Sequence, residues 1–281
     1  MSEIVALDAA WMRAHRLPEP GDEGKHGRGQ VLVVGGEAEL AGAAMLAGVA
    51  ALRAGAGKLQ VAVAEVSVPV LSVALPEARV LALPRDAASA AAGLVAQHAT
   101  RCDALLMGPG MMDDAAGLAA ALLELDTQGG VVVDAGALLA IPRALPRPGR
   151  VLTPNAGEMA RLLDMTKDQV ASDPLAAAQS AATRFDATVV MKGAVTFVVG
   201  TDGQAGRFAG GGPGLGVSGS GDVLGGLITG LLARGAPPFM AAAWGVFLHG
   251  EGGARLAAKI GKLGYLAREI ADETPPILSS F

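Results

Sequence analysis

The sequence predicts an α/β protein in which a mostly parallel sheet carries helices on both faces. Three observations lead there. Short β-branched or leucine-rich runs alternate with alanine-rich segments along most of the chain. The runs are apolar at successive positions, as strands buried on both faces must be. Small or polar residues follow them (Gly35-Gly36, Gly108-Pro-Gly110, Asp134, Lys192-Gly193), where strands of such a sheet present their carboxyl ends and gather functional groups.

The elements follow in order. The first 25 or so residues read as an arm, with Pro18–Gly24 as a turn. Gln30–Val34, Lys58–Val63, Ala104–Met107, Gly130–Asp134, Arg150–Thr153 and Ala187–Met191 read as strands. Between them, alanine-rich stretches predict helices over 40–54, 87–98, 115–124, 156–163 and 174–185. The helix over 156–163 opens with Asn155, and Glu158 stands three residues on, the spacing of a capping arrangement. Two short strands, Val195–Val199 and Ala205–Phe208, predict a hairpin around Asp202-Gly203, followed by helices over 220–233 and 238–258. With no long linker, low-complexity tract or repeat, residues 1–281 read as one domain.

Composition narrows the function classes. A chain of 281 residues with 51% hydrophobic and 17% charged residues can bury a large core. The net charge of −5, the lack of a Lys/Arg cluster and only 3% aromatics argue against nucleic-acid binding. The lone Cys102 cannot form an internal disulfide and reads as buried apolar filler. Met1–Asp8 lacks the basic start of a secretory signal, so a cytoplasmic protein is expected. Leu40–Leu52 and Val223–Ala233 are too short or too rich in Gly and Ala to span a bilayer, so no membrane association is expected.

The most informative stretch is Gly210-Gly-Gly-Pro-Gly-Leu-Gly-Val-Ser-Gly-Ser-Gly-Asp222, followed at once by an apolar helical run. Glycines let consecutive backbone N–H groups face an anion, and the helix adds its positive pole, so the stretch reads as a phosphate site. A tight turn before a buried helix is the equally weighted alternative. Gly214–Gly219 is also a literal G-x-G-x-x-G, but no buried strand precedes it and no acidic residue follows at ribose distance. No G-x-x-x-x-G-K-[ST] and no G-x-S-x-G occurs. Asp222 beside a phosphate would repel it, which points to chemistry or metal binding. The helix pole is expected to keep it ionised at neutral pH, and so a weak base.

Other candidates sit at the strand ends. Lys192 is read either as solvated or as a point charge paired with an anion such as a phosphate, with the anion preferred. Asp134 orients a hydroxyl or a hydrated Mg²⁺, or else caps the next helix. Ser218 and Ser220 read as phosphate-facing hydroxyls. His15, His26, His98 and His249 show no metal-ligand spacing, and no protein-ligated metal is expected.

These motifs, with Ala41–Gly57, Leu152-Thr-Pro-Asn-Ala-Gly-Glu-Met-Ala-Arg-Leu162, Met191-Lys-Gly-Ala-Val-Thr196, Gly219-Ser-Gly-Asp-Val-Leu224 and His249-Gly250, resemble the ADP-dependent NAD(P)H-hydrate dehydratases of the ribokinase-like superfamily. The resemblance runs from about Lys25 to Ile277. It implies a three-layer αβα ribokinase-like fold. It also implies dehydration of the S-epimer of hydrated NADH or NADPH, coupled to ADP or ATP with Mg²⁺. Carried over by motif, Lys192, Gly193, Ala194, Val195, Thr196 and Gly221 contact the nucleotide, with Ser218, Gly219 and Ser220 beside it. Ala43, Gly110, Met112, Asp134, Asn155, Glu158 and Asp222 face the hydrate, Asp222 being the catalytic group. The chain departs from the family at Met112, Asn155 and Gly136, all on the substrate side. A small-molecule kinase and a non-catalytic nucleotide-binding paralogue are the competing readings. Family members are often fused to an epimerase; the short arm here implies a separate one. A homo-oligomer is the family expectation.

Overall fold

The computed structural model describes residues 4–19, 24–84, 87–112, 115–141 and 149–281. Ten strands form one sheet among the described residues. Along the chain they are β1 (Ile4–Ala6), β2 (Gln30–Val34), β3 (Lys58–Ala64), β4 (Ala78–Leu83), β5 (Ala104–Met107), β6 (Gly130–Val133), β7 (Arg150–Leu152), β8 (Thr188–Met191), β9 (Thr196–Val199) and β10 (Ala205–Phe208). Their order across the sheet is β1-β10-β9-β8-β7-β6-β5-β2-β3-β4. All neighbours run parallel except β9, which is antiparallel to both β8 and β10. The β9–β10 hairpin turns at Asp202-Gly203, as the sequence predicts: Gly203 adopts φ +83°, a left-handed value that costs glycine little.

Helices cover both faces. α1 (Ala9–Ala14), α2 (Ala41–Arg53), α3 (Val68–Ala74), α10 (Ser220–Ala233), α11 (Pro238–Lys259) and α12 (Ala267–Leu278) pack on one side, against Val31, Val33 and Val61 of the strands. The other side carries α4 (Ala88–Ala99), α5 (Ala116–Leu123), α6 (Ala135–Leu138), α7 (Ala156–Leu163), α8 (Lys167–Ser172) and α9 (Pro174–Phe185), against Leu32, Val34 and Leu105. Alternate residues of one strand thus enter opposite cores, which is why the strands read as unbroken apolar runs. The three-layer αβα expectation holds.

Several elements differ from the sequence reading, the short helices α1, α3, α6 and α8 among them. The arm is part of the fold: β1 adds to the sheet edge beside β10, Met12 is fully buried, and Trp244 Nε1 donates to the His15 carbonyl at 2.8 Å. Most of the expected Pro18–Gly24 turn lies outside the described residues. β4, in the sequence Ala-Arg-Val-Leu-Ala-Leu, was not expected as a strand. It is an edge strand with Arg79 exposed, so only part of it is apolar and its pattern is weak. α12 closes the chain where no helix was expected.

One packing constraint positions the functional edge. α10 lies directly on α2 with no side chain between them. A methyl group at Gly226 would run into the Ala47 carbonyl, and one at Gly230 into the Ala51 carbonyl. The N-termini of both helices thereby reach the same carboxyl edge of the sheet. Gly226→Ala is expected to lower unfolding free energy by about 1–3 kcal/mol through overpacking. Gly42→Ala, at a helical position with open space around it, is expected to raise stability by about 0.5–1 kcal/mol. Denaturant unfolding of the two variants checks both signs.

Candidate active site

The carboxyl ends of β6, β7 and β8 meet beneath the N-terminus of α10. The chain leaves β6 through Ala135, whose φ of +47° is costly for a residue with a Cβ. Asp134 makes no capping bond to α6. Its Oδ1 instead accepts from Thr153 Oγ1 at 2.6 Å and from Lys192 Nζ at 2.9 Å. The capping alternative for Asp134 is therefore set aside. With 1% of its surface exposed, it meets neighbouring side chains rather than solvent. Thr153, at the end of β7, was missed as a site residue; its only sequence signal was its place after an apolar run.

Lys192 follows β8, and its backbone N–H donates to the Pro154 carbonyl at 2.8 Å, fastening that strand end to the next loop. Its ammonium also lies 3.7 Å from Glu158 Oε2. The anion that Lys192 meets within the protein is thus carboxylate, and the solvated alternative is set aside. Burial works to lower its pKa, but Asp134, Glu158 and Asp222 outweigh it and hold the ammonium above its ordinary value.

Asn155 and Glu158 form the expected capping box. Asn155 Oδ1 accepts from the N–H groups of Gly157 and Glu158 at 2.8 and 3.0 Å, and Glu158 Oε2 accepts from Asn155 N–H at 2.7 Å. One carboxylate thereby caps α7 and faces Lys192.

α10 begins after Gly219, at φ +87°. Among the described residues the N–H groups of Gly219, Gly221 and Asp222 have no protein acceptor, whereas those of Ser220 and Val223 donate to Val217 and Gly219 carbonyls at 3.2 and 3.1 Å. Three open donors at a helix start form an anion cradle. Lys192 Nζ stands 3.5 Å from where a Gly221 Cβ would lie, and Asp134 Oδ2 stands 3.6 Å from where a Gly225 Cβ would lie. The cradle, the ammonium and the buried carboxylate are therefore one site.

Asp222 corrects a second expectation. Burial, then the charge of Asp134, push its carboxyl up to about 7, with Lys192 opposing. Desolvation and a like charge outweigh the helix pole, so Asp222 is a stronger base than an ordinary carboxylate. Ser220 is the third correction. Its side chain is buried against α11, with Oγ 2.8 Å and the carbonyl 3.0 Å from His249 Nε2, so it does not face a phosphate. Burial drives His249 down to about 4, so the ring is neutral where the fold works. The role of His249 in holding the start of α10 had no signal in the sequence beyond its place in the motif.

The remaining candidates sit around this centre. Gly193 and Ala194 are exposed and Val195 and Thr196 half-buried in the turn from β8 to β9, while Ser218 is exposed before the cradle. Ala43, in the first turn of α2, lies against Gly110, which adopts φ +66°. One turn on, Leu46 reaches the Gly219 position. Met112 is exposed, and its backbone N–H donates to Glu37 Oε1 at 2.8 Å. Cys102 is buried, as expected. Among the described residues no cluster of three His, Cys, Asp or Glu could hold a metal, and no helix is long and apolar enough to cross a membrane.

Residues 31–276 match the family model described as NAD(P)H-hydrate dehydratase. The chain is 48% identical to the ADP-dependent (S)-NAD(P)H-hydrate dehydratase of Xanthomonas campestris pv. campestris, covering 98% of this chain and 96% of that one. It is 39% identical to the bifunctional NAD(P)H-hydrate repair enzyme Nnr of Moorella thermoacetica, covering 97% of this chain but 53% of that protein. Among solved structures, the ADP/ATP-dependent NAD(P)H-hydrate dehydratase of Bacillus subtilis, co-crystallised with ATP/Mg²⁺, superposes with a TM-score of 0.86. That pair is 27% identical, over 100% of this chain and 99% of the other.

The raised Asp222 pKa has a stability consequence of definite sign. Below its unfolded value of 3.8 both states are protonated and nothing is lost. As pH rises towards 7 the unfolded chain gives up the proton first, so folding stability falls; above 7 the loss is complete. Asp222→Asn is expected to unfold like the parent chain at pH 3.5 and to be more stable by about 4 kcal/mol at pH 8, as thermal unfolding at the two pH values would read.

Proposed function

The chain belongs to the NAD(P)H-hydrate dehydratase family, and from that premise we propose that it repairs hydrated nicotinamide cofactor by dehydrating the S-epimer at the expense of ADP. The observation that carries this reading is the position of Asp222. A carboxyl poised near neutrality stands in the first turn of α10, beside open N–H donors and opposite Lys192. A site for anion binding alone has no use for a buried carboxylate there. A phosphoryl transfer to a hydroxyl needs both a cradle for the transferred group and an acceptor for the hydroxyl proton.

The chemistry then runs in two balanced steps. The C6 hydroxyl oxygen of the hydrate attacks the terminal phosphoryl of ADP, its proton passes to Asp222, and AMP leaves. The C6–O bond next breaks with phosphate departing, a proton is lost from C5, and the C5=C6 double bond of the reduced nicotinamide is restored. Water leaves the hydrate as the oxygen of inorganic phosphate. The N–H groups of Gly219, Gly221 and Asp222 stabilise charge on the phosphoryl group, while Lys192 supplies a fixed positive charge held by Asp134 and Glu158.

Lys192–Thr196, on the β8–β9 side, are the proposed nucleotide contacts. Ala43, Gly110, Met112 and Asn155, on the other side, are the proposed hydrate contacts. Asp134 shifts from a substrate contact to a group that holds Lys192. Mg²⁺ fits here as an ion carried on the nucleotide phosphates, because the carboxylates present do not form a protein cage. Bound there, it supplies charge neutralisation. An epimerase activity would deliver the S-epimer; the bifunctional repair enzyme of Moorella, of which this chain spans about half, supports that pairing.

Mixing the protein with the S-hydrate of NADH, Mg²⁺ and ADP should return the absorbance of reduced nicotinamide only when nucleotide is present. Asp222→Asn is expected to lower kcat by roughly 10²–10⁴-fold. A base must be ionised, so the rate should fall as pH drops through about 7, and that limb should vanish in the variant. Recovery without nucleotide, or an unchanged rate in Asp222→Asn, would sink the reading.

A further inference from the structure

Ser220 is held at each of its polar atoms. Its N–H donates to the Val217 carbonyl at 3.2 Å, and its carbonyl and Oγ lie 3.0 and 2.8 Å from His249 Nε2. On either side of it, among the described residues, the N–H groups of Gly219 and Gly221 have no protein acceptor. The residue turned away from the cradle is thus the anchor between two that face it. The imidazole that grips it has no part in the steps derived above.

The proton on that ring follows from its partners. A carbonyl can only accept, whereas a hydroxyl can donate or accept. A nitrogen within reach of both therefore carries an N–H, shared between the two Ser220 oxygens. Burial, aided by the charge of Lys192 and opposed by the Ser220 carbonyl, keeps the ring neutral. Nε2 is then assigned its one proton and Nδ1 the lone pair. α11 is close enough for this bond because Gly245 stands one turn before His249, where a methyl group would run into Ile228 of α10.

The consequence passes through one peptide bond. The Ser220 carbonyl and the Gly221 N–H belong to the same planar trans unit and point in opposite directions. Fixing the oxygen towards α11 fixes the hydrogen away from α11, at the open start of α10. Gly221 has no Cβ to restrict its own torsions, so the bond to the preceding carbonyl supplies the restraint that a side chain supplies elsewhere. A donor on the carbonyl also polarises the unit and strengthens its N–H. Resting on the dehydratase reading above, we propose that His249 is a positioning residue for phosphoryl transfer, which acts through the Ser220 carbonyl to aim and polarise the Gly221 N–H at the transferred group.

His249→Leu keeps bulk and removes the donor, while His249→Gln carries an amide N–H to the reach of Nε2. Affinities for ADP and AMP read the cradle without turnover, because AMP lacks the phosphoryl group that the cradle holds. His249→Leu should weaken ADP about fivefold, the worth of one hydrogen bond, and leave AMP unchanged; His249→Gln should restore most of the difference. In turnover, His249→Leu should lower kcat roughly 10–100-fold with KM for the hydrate unchanged, and His249→Gln should again recover it. Thermal unfolding reads folding separately, and where His249→Leu does not fold, His249→Asn, whose amide stops at the reach of Nδ1, makes the same comparison. Equal losses for ADP and AMP, an unchanged affinity for ADP, or a glutamine variant as impaired as the leucine one overturns the assignment. A parent chain that dehydrates no hydrate, while the ADP–AMP difference still follows His249, counts against the dehydratase reading alone.

Discussion

The contact on which the site depends is the ion pair between Lys192 and the almost fully buried Asp134, at 2.9 Å. Burying two charges is costly, and an isolated pair of this kind returns little net stability. This one is completed by the Thr153 hydroxyl on the same carboxylate oxygen and by Glu158 beyond the ammonium. It joins the ends of β6 and β8 across β7. It also occupies Lys192, so the ammonium offsets only part of the burial and like-charge repulsion felt by Asp222. Burial first, and then the charge of Asp134, thus hold the carboxyl near neutrality.

A geometric constraint serves the same end. α10 can bring its first turn to the ion pair only because Gly226 and Gly230 let its backbone lie on that of α2. Side chains there would lift the helix and carry the cradle with it. From the other side, neutral His249 on α11 holds both polar atoms of Ser220, turning that hydroxyl away from the cradle. Phosphate recognition is thereby left to backbone N–H groups, whose positions are set by helix packing rather than by side-chain rotamers.

The carboxyl edge of the sheet is divided by this arrangement. The exposed β8–β9 turn lies on one side of α10, and the cavity over β2–β4, with Glu37 and Glu65 in its lining, on the other. Two elongated ligands can approach the same few ångströms from opposite directions without competing for surface.

Much of this was legible in the residues. Unbroken apolar runs such as Gln30–Val34 gave the parallel sheet, the Asn155/Glu158 spacing gave the capping box, and the glycines before Asp222 gave the anion cradle, because each is a local consequence of backbone sterics and burial. The β1 and β4 edge strands were not legible, since a three-residue strand and a half-exposed one carry little pattern. The roles of Asp134, Thr153, Ser220 and His249 were not legible either. Asp134 and Thr153 lie 19 residues apart, and Ser220 and His249 lie 29 apart. Sequence by itself determined the layers and the residues offered at the strand ends. Tertiary structure decided which of them meet, and so moved Asp222 from the ionised state a helix pole favours to one near neutrality, because a pKa is set by the dielectric and the charges around a group, which only the packed chain assembles.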